Sequence, residues 1–108
     1  MVNKMDEIKE NWVTIKESVR EECNMSDISY QTWIKPLEFH TVIDDVVYII
    51  IPSDQAHALN YISAKYKSFF QVAITEMFLH NYDVKFILEK DAKLQDMKEN
   101  DVSISGSG

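Results

Sequence analysis

Met5, Ile8, Trp12, Ile15, Val19 and Cys23 recur at spacings of three and four, the repeat of one helical face. The pattern predicts a helix over about residues 3–23. Asp6, Glu7 and Glu10 suit the positive N-terminal end of its macrodipole. Asn24 is the expected stop. Ser26 or Asp27 can cap a second helix, which runs to about Lys35. There Pro36 has no N–H to donate and biases Lys35 away from helical geometry. Two antiparallel helices joined by a short loop follow from this spacing. Leu37–Ile43 is β-branched enough to read as a strand, and Val46–Ile51 reads as a stronger one. Asp44-Asp45 between them makes a tight turn, so the two strands form a hairpin. The run VVYIII is apolar on both faces, which suits a central strand covered on both sides. The alternative leaves one face for a partner.

Pro52 ends the strand, and Ser53 or Asp54 can cap a long helix running to about Leu79. Leu59, Ile62, Tyr66, Phe69, Ala73 and Met77 make its first stripe, and Phe70, Ile74 and Phe78 widen it. His80-Asn81 closes the helix, with Asn suited to the left-handed cap. Tyr82–Leu88 alternates as a half-buried strand, with Tyr82, Val84, Phe86 and Leu88 on one side. The order is α-α-β-β-α-β. That is an α+β chain with one layer of sheet and helices packed on it, and Trp33, Ile49, Ile62 and Phe69 belong to its core. From Glu89 the texture changes. Residues 1–89 form the domain, and 90–108 read as a flexible linker or tail whose SGSG end is linker sequence or a cloning remnant.

At 108 residues the chain makes one domain with one modest core, and 12 aromatic residues argue that it folds. A net charge of -7 makes it a poor general nucleic-acid binder, because phosphate affinity comes mainly from Lys and Arg. Cys23 stands alone, so no intrachain disulfide forms, which fits a reducing cytoplasm. No apolar run approaches the ~20 residues of a membrane span. The two glycines, Gly106 and Gly108, fall in the tail. Phosphate-cradling loops, dinucleotide fingerprints and GxxG clamps need glycine inside the domain, so all three are excluded.

Catalytic and metal chemistry have little support. His40, His57 and His80 fall on different elements without helical i,i+4 partners, so each reads as structural or surface rather than metal-ligating. Cys23 is on the inward stripe, as a buried inert thiol would be. The neighbouring carboxylates Asp44-Asp45 and Glu21-Glu22 point in different directions, which argues against a paired acid and base. No cofactor is implied and no enzyme is expected. Lys65 and Lys67 flank Tyr66, and Lys35 precedes Pro36. They form a solvated face or a weak single-strand contact, in which lysines hold the backbone and an aromatic ring stacks a base. Trp12 lies on the inward stripe but near the start of its helix. It is a core residue or a partly exposed anchor for a partner.

Taken in order, these pieces resemble the N-terminal domain (domain I) of the bacterial replication initiator DnaA family. The phrase ISYQTWIKPL (Ile28–Leu37) carries the closest likeness, preceded by Trp12 in the first helix. Ile51-Pro52, then Tyr61-Ile62-Ser63-Ala64-Lys65-Tyr66, then Val84-Lys85-Phe86 complete a match over about residues 8–89. The resemblance implies a K-homology-like three-stranded sheet with packed helices and no GxxG loop. It implies a cytoplasmic interaction module that self-associates weakly, contacts the replicative helicase or its loader, and binds initiation regulators. Trp12 matches the family Trp associated with self-association. Ser29 stands where some members carry a Glu used for helicase or single-strand contact. The family's aromatic helicase-contact position falls between Gln55 and His57. The ATPase and DNA-binding domains of an initiator are not among these residues. The other reading is a stand-alone domain of this kind, acting as a weak single-strand binder or a replication regulator.

Overall fold

The computed structural model describes residues 3–94. Helices α1 (Lys4–Glu10) and α2 (Trp12–Cys23) come first, then a turn of α-helix, α3 (Asp27–Ser29), that runs on as a π-helical turn, Tyr30–Ile34. Strands β1 (Glu38–Ile43) and β2 (Val46–Ile51) form the hairpin. A 3-10 segment, Ser53–Ala58, leads into the long helix α4 (Leu59–Phe78), and β3 (Asp83–Leu88) closes the sheet. The strand order is β1-β2-β3, with β1 antiparallel and β3 parallel to the central β2. The class is therefore α+β, with helices packed on a three-stranded mixed sheet.

Rather than one helix over 3–23, the chain forms two, broken at Asn11. Its φ of -101° and ψ of 13° leave the helical basin, and its side-chain amide donates to the Glu7 carbonyl at 2.9 Å. The backbone N–H of Asn11 is shared between the Glu7 and Ile8 carbonyls, both at 3.2 Å. A side chain that bonds its own helix at i−4 competes with the helical ladder and bends it. The bend lays α1 beside β1 and sinks Ile8 fully into the core.

Pro36 stops the next helix, as expected, and the stop has structural consequences. The Lys35 N–H reaches back five residues to Tyr30 at 2.8 Å, and the Leu37 N–H bonds Ile34. Pro36 donates nothing, so backbone carbonyls around the corner need other partners. Lys16 Nζ donates to the Lys35 carbonyl at 2.8 Å and to that of Leu37 at 3.4 Å. The Trp12 indole N–H also donates to the Leu37 carbonyl, at 2.9 Å. Burial pushes the Lys16 ammonium below its ordinary pKa, against the opposing pull of Glu38.

Asp44 and Asp45 form the hairpin turn with φ of 51° and 62°, the left-handed pair that matches strand twist. A bulge at His40 shifts the register between Phe39 and Thr41. Val47, Ile49 and Ile51 are buried with Val84 and Phe86, against Ile62, Tyr66, Phe70 and Ile74 of α4. The other face of β2 differs from expectation. Val46, Tyr48 and Ile50 are only half-buried, so the strand is central but not covered equally on both sides. Trp33 and Phe69 are also half-buried rather than part of the deep core.

Two caps differ as well. Ser53 does not cap α4, and neither does Asp54. The Ser53 N–H and hydroxyl both donate to Glu89, at 3.1 and 2.9 Å, and α4 begins without a side-chain cap. The left-handed C-cap residue of α4 is Leu79, at φ 52°, rather than Asn81. Beyond it, the His80 ring lies tilted against Tyr82 and meets Asp45 and Lys4, which fixes where the helix must end. Residues 89–94 are helical and Ala92 is buried, so this part of the expected linker is structured. Residues 95–108 of that linker lie outside the described residues.

Candidate protein-interaction surface

Ser26 caps α3 through its hydroxyl, which accepts from the Ser29 N–H at 3.2 Å. This geometry turns Ile28 outward, and it is 80% exposed. The π turn then places Trp33 against Tyr61 of α4, with ring centroids 5.3 Å apart and tilted by 56°. Tyr61 meets Tyr66 edge-on at 6.4 Å. Lys65 lies 5.3 Å from the Tyr61 ring and 5.6 Å from the Tyr66 ring, and donates to the Tyr61 hydroxyl at 3.0 Å. That hydrogen bond lowers the Tyr61 phenol's pKa and raises that of the Lys65 ammonium. Ser29 is half-buried beside Lys65, Tyr66 and Cys23. The result is a patch of exposed and half-exposed aromatic and apolar side chains with one fixed positive charge.

Gln55 supports this surface from behind. Its amide nitrogen donates to the Thr32 carbonyl at 2.6 Å, the carbonyl that an α-helix would have joined to the missing Pro36 N–H. Its Oε1 is buried without a partner. Gln55 therefore ties the 3-10 segment to the π turn, and His57 is exposed on that same segment.

Trp12 requires a correction. It is 8% exposed, stacked on Phe70 at 5.7 Å and tilted against Phe39 at 5.9 Å. With its N–H bonded to Leu37 and its ring between Phe39 and Phe70, Trp12 is a core pin and not a rim-exposed anchor. The three lysines do not form one strip. Lys65 and Lys67 are about 200° apart around the helix, and Lys67 faces Asp83 at 3.8 Å on the far flank. Lys35 is exposed at the end of the π turn. Cys23 is half-buried rather than fully buried, and desolvation raises its thiol pKa. Among the described residues no group of three His, Cys, Asp or Glu side chains is placed to hold a metal. No described helix is long and apolar enough to cross a membrane.

The fold defines a class: a small α+β domain with helices packed on a three-stranded mixed sheet. Residues 9–76 match the family described as the DnaA N-terminal domain. The chromosomal replication initiator protein DnaA of Lachnoclostridium phytofermentans is 31% identical over 91 residues. That alignment covers 82% of this chain and 20% of the relative, so the chain spans about one fifth of that protein. The chain belongs to the DnaA N-terminal domain family.

Proposed function

We propose that this domain is a cytoplasmic assembly module of replication initiation. It self-associates weakly and contacts the replicative helicase or its loader and initiation regulators. Residues 1–89, with the short helix that follows them, carry these contacts, and the chain beyond tethers them to the rest of an initiator. The observation that supports this reading is the Ile28–Trp33–Tyr61–Lys65 surface, which presents aromatic and apolar side chains on a frame clamped by Gln55. Ser29 and His57 lie on the same two segments and tune the choice of partner. The test is capture of purified replicative helicase, and separately of its loader, by full-length initiator carrying Ile28→Ser with Tyr61→Ala. Binding of at least one is expected to fall about tenfold, on the scale of one interface hot spot. Unchanged binding of both would reject the surface.

A second reading has one observation in its favour, the Lys65 ammonium held over two tyrosine rings. It makes the chain a stand-alone single-strand binder or a regulator that competes with the initiator. The net charge of -7 opposes it. Labelled oligonucleotides at physiological salt should show weak, salt-sensitive binding to single strands through Lys65, and none to duplex. Sub-micromolar duplex binding would favour the second reading, as would a gene that ends without a Walker A motif.

A further inference from the structure

Beside Tyr61 lies a cavity of about 210 Å³ whose wall includes Cys23, Asn24, Ser26, Ser29, Lys65 and Tyr66. No carboxylate lines it among the described residues, although the chain carries a net charge of -7. Lys65 supplies its charge. The ammonium donates to the Tyr61 hydroxyl at 3.0 Å, which holds it in place and leaves it further hydrogens to give. It makes no ion pair among the described residues, whereas Arg20 pairs with Asp27 and Lys67 with Asp83. The other polar groups on the wall can donate as well. Ser26 Oγ accepts from the Ser29 N–H, which leaves its own O–H to donate, and Ser29 and Asn24 add a hydroxyl and an amide. The positive charge reaches the wall. Burial raises the Cys23 thiol pKa most, and of the two charges acting on it Lys65 outweighs Glu22.

We propose, on the footing of the contact surface above, that this cavity receives the carboxylate of an aspartate or glutamate from a protein partner docked across Ile28, Trp33 and Tyr61. Lys65 and the Ser26 and Ser29 hydroxyls give its oxygens charge-assisted hydrogen bonds. Size and charge decide the occupant. The volume is below the ~300–1,000 Å³ of a small-molecule site and suits one side-chain head. A nucleic-acid backbone would bring further phosphates over Glu22 and Asp27, which flank residues 23–26 in the chain and are exposed. One cation meets one carboxylate, not a row of phosphates.

The test is capture of purified replicative helicase, and separately of its loader, by full-length initiator at low and at physiological salt. Lys65→Gln is expected to weaken at least one capture about tenfold and to remove most of its salt dependence. Lys67→Gln makes the same charge change two residues on and should stay within about twofold. The proposal is overturned if Lys65→Gln binds like the parent or if Lys67→Gln loses as much. It is overturned too if Lys65→Gln loses affinity with its salt dependence unchanged, because Lys65 then only supports Tyr61. Ile28→Ser with Tyr61→Ala separates the two failures. If that variant loses capture and Lys65→Gln does not, the surface stands and the carboxylate site falls; if neither loses it, both fall. Loss of single-strand binding or of self-association by Lys65→Gln, with both captures unchanged, would make the occupant a phosphate or a second copy.

Discussion

Replacing Trp12 by Ala removes the indole from between Phe39 and Phe70 and leaves the Leu37 carbonyl with Lys16 alone, at 3.4 Å. Deleting a buried Trp costs roughly 3–5 kcal/mol. For a domain of this size each kcal/mol moves the melting midpoint by about 4–8 °C, so Trp12→Ala should melt at least about 12 °C below the parent. Trp12→Phe separates the two contributions. It keeps a ring in the slot and loses the N–H bond, so it should cost about 1–2 kcal/mol. Circular dichroism melts measure both, and sedimentation of the same samples measures association. If Trp12→Ala melts within about 4 °C of the parent while self-association is lost, the core argument fails and the ring is an interface residue after all.

Leu79→Gly should raise stability by about 1 kcal/mol, because it removes a left-handed strain and little packing; a denaturant titration reads this as a higher midpoint at unchanged slope. Gln55→Met strips the Thr32 carbonyl of its donor and should cost about 1 kcal/mol, with the largest amide-exchange increase over the Tyr30–Ile34 turn. Asp45 has its pKa lowered first by its hydrogen bond to His80 and then by that to Lys4. A depressed carboxylate contributes stability that is present above the unfolded aspartate value and lost as pH falls through the folded one. An NMR titration should therefore find Asp45 below an ordinary aspartate, and His80→Ala should move it back up. No upward movement would place His80 outside the trio.

The readable parts of the fold were those that local chemistry decides. Pro36 ends its helix because it lacks an N–H, and Asn24 takes the left-handed cap that its short side chain tolerates, at φ 53°. The stripe Ile62, Tyr66, Ala73 on α4 and the alternation Val84, Phe86 on β3 bury as their periods require. The misread parts depend on contacts far away in the chain. Asn11 is an ordinary mid-helix residue until Ile8 has to reach the core across a bend. VVYIII carries no alternation, so its sequence cannot say that only Val47, Ile49 and Ile51 face the helices. Asn81 is the better cap residue, yet His80 must reach Asp45 and Lys4 from the loop, so the helix ends at Leu79.

The same division runs through the candidate site. The divergence of Lys65 and Lys67 was there to be read, since two residues along a helix is just over half a turn. Lys16 was legible too, because it follows Trp12 by four and so shares the inward stripe. Gln55 was not, because its bond to Thr32 spans 23 residues and exists only because Pro36 leaves that carbonyl free. Trp12, Lys16 and Gln55 thus all serve the same corner, each closing a carbonyl around Pro36 from a different direction. The corner positions Trp33, which packs on Tyr61, whose hydroxyl accepts from Lys65. Loosening any of the three pins should therefore disturb the contact surface without touching it. This makes Trp12 a residue whose loss can reduce association indirectly. The double variant Trp12→Phe with Gln55→Met should show coupling in helicase or loader capture, and strict additivity would disconnect the corner from the surface.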